Sequence, residues 1–90
     1  MKTSLKRSIS EYHKVNNFAK KVFNKIQKDK LIYAYSDYDG IEKIKKVENG
    51  YEFIIKEVSN FGMRFGDETR LVKFHAKSLH LNSISNIGYV

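Results

Sequence analysis

The amino-acid sequence predicts an α+β fold: one small domain in which a long N-terminal amphipathic helix packs on a three- or four-stranded, mainly antiparallel sheet. Three observations carry that expectation. Apolar residues recur at helical period across residues 8–30, Asn49-Gly50 separates two runs of sheet-forming character, and residues 69–81 alternate between apolar and polar side chains.

The helix organises the rest. At about 100° per residue, Tyr12, Val15, Phe18, Ala19, Val22, Phe23 and Ile26 fall on one face, which must be buried. The opposite face collects Lys14, Asn17, Lys21, Asn24, Lys25 and Lys28, with His13 and Lys20 on one shoulder. Ser8 followed by Glu11 reads as a capping box that starts the helix. Lysines near its C-terminus complement the negative end of the helix dipole, so part of the enrichment is structural.

Taken in order, residues 1–7 read as a flexible basic arm, 8–81 as the domain, and 82–90 as a polar tail whose placement the pattern leaves open. Residues 31–36 suit a short strand, with Tyr33 in the core, and Asp37-Tyr38-Asp39-Gly40 a turn. Asn49-Gly50 is the favoured pair for a two-residue type I′ hairpin. That turn sets Ile44 opposite Ile55, Lys46 opposite Phe53, Ile41 opposite Val58 and Lys43 opposite Lys56. The three-residue spacing of Ile41, Ile44 and Val47 competes as a short helix. Residues 59–68 read as a loop in which Phe61-Gly62 and Phe65-Gly66 flank Met63 and Arg64. In the next strand Val72, Phe74 and Ala76 point inward, while Lys73, His75 and Lys77 point to solvent. Tyr33, Ile44, Ile55, Val72 and Phe74 are the sheet's expected share of the core.

Composition narrows the function. With 90 residues, one core is the limit, and the absence of cysteine removes disulfides and thiolate chemistry, which suits a cytoplasmic protein. No apolar run approaches the roughly 20 residues that span a bilayer, and no signal-peptide core is present, so no membrane partner is expected. The formal charge of +7 sits entirely in residues 1–30, where Lys2, Lys6, Arg7, Lys14, Lys20, Lys21, Lys25, Lys28 and Lys30 face only Glu11 and Asp29. Residues 31–90 balance. Such segregation is an electrostatic footprint for a polyanion, against the plainer reading of a solvated lysine surface.

The expected function is therefore non-catalytic nucleic-acid binding. RNA is preferred to duplex DNA because the outer helix face has lysine and asparagine but no arginine, which suits backbone rather than base-edge contact. The expected contact residues are Lys6, Arg7, Lys14, Asn17, Lys20, Lys21, Lys25 and Lys28, joined by Lys73 and Lys77 from the sheet. Phe61, Phe65 and Arg64, or alternatively Tyr35 and Tyr38, would stack on bases. His13, His75 and His80 lack metal-ligand spacing, and nothing places two histidines on one phosphate, so no metal, cofactor or catalysis is expected. The alternative is a small inhibitor, of the size and composition common in phages and other mobile elements, that binds and blocks a nuclease or toxin.

Overall fold

A computed structural model of the chain describes the backbone of residues 2–60 and 67–90 and the side chains of 12–59 and 68–90. In it the apolar helix stripe does what its period demands: α1, Lys2–Lys28, buries Phe18, Ala19, Val22, Phe23 and Ile26 against one face of a sheet. The helix starts earlier than its apolar period implies. No proline or glycine interrupts residues 2–8, and Lys, Leu and Arg propagate a helix well. The expected arm is therefore helical, and Ser8 and Glu11 lie inside α1 instead of opening it.

α1 ends in a Schellman cap. The Leu31 N–H donates to the Ile26 carbonyl at 2.9 Å, the Lys30 N–H donates to the Gln27 carbonyl at 3.0 Å, and Lys30 takes φ 62°. The next segment is a connection, not the strand expected over 31–36. Its carbonyls are tied to α1 by the Gln27 amide, which donates to the backbone oxygens of Tyr33, Ala34 and Ser36 at 3.1, 3.2 and 2.8 Å.

Four strands follow, β1 (Ser36–Val47), β2 (Gly50–Asn60), β3 (Asp67–Ala76) and β4 (Ile84–Tyr89), all antiparallel in the order β1-β2-β3-β4. A 3-10 turn, Leu81–Ser83, leads into β4. The tail thus forms the last strand, and β3 stops at Ala76. The expected turn at residues 37–40 is absorbed into β1. Pairing jumps from Tyr38↔Glu57 to Ile41↔Ile55 and then to Lys43↔Ile54, so two bulges bend the strand, and Gly40 takes φ 98° at the first of them. The second bulge also resolves the competing helix. An extra residue at Glu42 lets Ile41 and Ile44, three apart, pair with Ile55 and Phe53 on the same face.

The β1–β2 register differs from the type I′ expectation by two places. Val47 pairs with Gly50, Lys46 with Tyr51 and Ile44 with Phe53, so Glu48 and Asn49 form the turn. A type I′ turn needs positive φ at both central residues, and Asn49 is not among the positive-φ residues. Gly50 is required for another reason. At φ 135°, a Cβ there would lie 2.3 Å from the Ala76 carbonyl oxygen, so glycine lets β2 begin flush against the end of β3.

Between α1 and the sheet, Phe18 meets Phe53 and Phe74 edge-on at 5.7 and 6.3 Å, and Phe53 stacks on Phe74 at 4.9 Å. Ile32, Ile55, Val72 and Ala76 complete the core. Of the other expected core members, Val15 is partly buried against this cluster and three lie outside it. Tyr33 is half-buried in the connection, Ile44 is 41% exposed at the sheet margin, and Tyr12 is 54% exposed near Tyr38.

Candidate nucleic-acid interface

Because the core claims one side of α1, the other side is left to water. Lys14, Asn17, Lys20, Lys21, Lys25 and Lys28 are all exposed, as are His13 and Asn24. Lys25 is tied to Asp29 at 2.9 Å, one turn on. Among the described residues, Lys14, Lys20, Lys21 and Lys28 have no ion-pair partner. Charges left unpaired on one face sum into a field that attracts a polyanion. Lys14, Asn17 and Lys21 also form one wall of a groove floored by Phe18, with Leu79, His80 and Leu81 opposite. His80 joins the lysines only through the fold, since it lies on the β3–β4 connection. Lys14 and Leu79 are shared with an apolar groove lined by Val15, Ile44, Tyr51 and Phe53.

The sheet lysines belong to a separate surface. Lys73 pairs with Ile54, which pairs with Lys43. This row alternates with the buried row of Phe74 and Phe53 and therefore points away from α1. Lys45 and Lys56 share that open face by the same alternation. Lys77 is exposed where the chain leaves β3. Lys6 and Arg7 lie on α1, but their side chains fall outside the described residues, as do Phe61, Arg64 and Phe65 altogether.

Of the alternative stacking residues, Tyr38 is occupied. Its ring packs on Phe23 at 5.9 Å and its hydroxyl donates to Asn16 Oδ1. Burial, with Tyr12 nearby, pushes its hydroxyl up to about 12. Tyr35, by contrast, is 80% exposed.

Around Tyr35 lies a cluster that the sequence reading did not assemble. Glu57 is fully buried on the helix side of β2, where Phe53 and Ile55 precede it at alternate positions. Its carboxyl accepts from the Tyr89 hydroxyl at 2.9 and 3.1 Å and lies 2.9 Å from Ser36 Oγ. The Tyr89 oxygen in turn accepts the Tyr33 N–H at 2.9 Å. Burial raises the Tyr89 hydroxyl above its ordinary value, partly opposed by that backbone N–H. Arg70, cross-strand from Glu57, sets its guanidinium 6.0 Å from the Tyr33 ring and 5.9 Å from the Tyr89 ring, and both its Nε and Nη2 donate to Glu68 at 3.3 Å. The one local signal in the sequence was Glu57 itself, an acidic residue at an inward-facing strand position.

Fold and surface together define a small α+β protein with a segregated cationic helix face. No family model, curated protein or solved structure matches the chain. Among the described residues no three His, Asp or Glu side chains converge as metal ligands would, and no described helix is long and apolar enough to cross a membrane.

Proposed function

We propose that the protein is a non-catalytic, cytoplasmic RNA-binding protein that engages the phosphate backbone through the exposed lysine face of α1. One observation carries the reading: the lysines stand together on one face, and Lys14, Lys20, Lys21 and Lys28 lack ion-pair partners among the described residues. Spaced lysines release counterions from a polyanion and give affinity with little sequence readout. The groove between Lys14, Asn17, Lys21 and His80 adds hydrogen-bonding groups beside the charge.

Lys14→Glu with Lys21→Glu tests this, since both residues are exposed and lie away from the core. The double variant is expected to melt as the parent does and to lose most of its RNA affinity in a filter-binding titration. Unchanged affinity would overturn the reading. The inhibitor alternative has its own support in the apolar groove, where Ile44, Tyr51 and Leu79 are 41%, 40% and 38% exposed beside Lys14. Affinity purification with and without nuclease separates the two: a protein partner that survives digestion favours the inhibitor, and recovery of RNA alone favours the binder.

A further inference from the structure

The Tyr35 ring is 80% exposed, yet the chain that carries it is held on both sides. The Gln27 amide holds the carbonyls on both sides of it, at Ala34 and Ser36. Two residues earlier, the Tyr33 N–H is fixed to Tyr89, whose hydroxyl is anchored in turn on the buried Glu57. The Tyr35 ring meets the Tyr33 ring edge-on at 5.7 Å, and Tyr33 is backed by the Arg70 guanidinium. Hydrogen bonds anchored on the buried Glu57 and on α1 thus hold the backbone that carries this exposed ring, which lowers the ordering cost of a ligand that stacks on it.

We propose that Tyr35, supported by Tyr33 and Arg70, seats one unpaired base of a single-stranded RNA whose phosphates run along α1. The inference rests on the RNA-binding reading above and deepens it. Lys20 and Asn24 lie seven and three residues before Gln27 and so share its strip of the helix surface. A strand following that strip arrives at the segment Gln27 clamps. Every base has a π-face, so the seat adds affinity for single strands without choosing a sequence, whereas a duplex keeps its bases stacked internally and gains nothing from it.

The test is a fluorescence-anisotropy titration of the full chain with a labelled oligouridylate of roughly twelve nucleotides, within ordinary site sizes, and with an abasic strand of the same backbone. Tyr35→Ala is expected to weaken oligouridylate binding by about 5- to 150-fold, the usual range for one lost stacking contact. It should leave the abasic strand unaffected, and Tyr35→Phe, which keeps the ring, should bind as the parent does. If Tyr35→Ala binds oligouridylate normally while the Lys14→Glu, Lys21→Glu protein does not, the stacking seat is rejected and the lysine face stands. Equal losses on both strands also reject the seat. If the parent protein binds neither strand, both proposals fall together.

Discussion

Tyr38 is the residue whose surroundings most change its chemistry. Half-buried against Phe23 and bonded to Asn16, it is far costlier to ionise than a free tyrosine, and its value near 12 lies above the unfolded value of about 10. A folded-state value raised in this way contributes stability that is whole below about pH 10 and lost as the pH climbs toward 12. In an absorbance titration of the phenolate band, the phenol missing from Tyr38→Phe should be one that ionises near pH 12; a missing phenol that titrates near 10 would contradict the packing described. Lys30 is a second site of local tension, because a residue with a Cβ occupies the left-handed position of the helix cap at φ 62°. Glycine fits there without that penalty. Lys30→Gly should raise stability by about 1 kcal/mol in denaturant melts, after allowing for glycine's more flexible unfolded chain, and a loss of stability would show that the lysine side chain has a role the cap does not reveal.

Among the elements, α1 and β3 were legible because each keeps its own period without interruption: Phe18, Val22 and Ile26 along the helix, Val72, Phe74 and Ala76 along the strand. β1 was not. Its two bulges break the alternation, so a glycine that serves a bulge read as a chain reversal, and isoleucines three apart left a short helix as a competitor to the strand. β4 was hidden for a similar reason, since its pairing with β3 slips between Lys73 and His75 where Asn86 takes φ 53°. The Asn49-Gly50 pair marked the right hairpin with the wrong register, because Gly50 answers to a close approach by Ala76 that no local pattern records. The Phe18, Phe53 and Phe74 rings join helix to sheet at the centre of the core. Phe18→Ala should therefore cost about 3–5 kcal/mol, a large part of the 5–15 kcal/mol typical of a whole domain. An unchanged melting temperature would mean that α1 does not depend on that contact.

At the scale of the whole molecule, the two halves of the candidate surface differ in how they arise. The lysine face follows from the helical wheel alone, so Lys14, Lys20, Lys21 and Lys28 could be named before any contact was known. The tyrosine cluster could not, because Tyr33 and Tyr35, Glu57, Arg70 and Tyr89 come from four separate segments and meet only when the sheet closes over the helix end. The fold also divides what charge alone had pooled, leaving Lys73 on the far face of the sheet from the helix lysines. Binding dominated by α1 should then involve about four phosphates, and each contact with a single strand contributes roughly 0.7 to the salt dependence. The most direct measurement is the affinity for a single-stranded RNA over a range of salt concentrations. A log–log slope of about −3 is expected, and tight binding with a slope near zero would contradict an interface built on the lysine face.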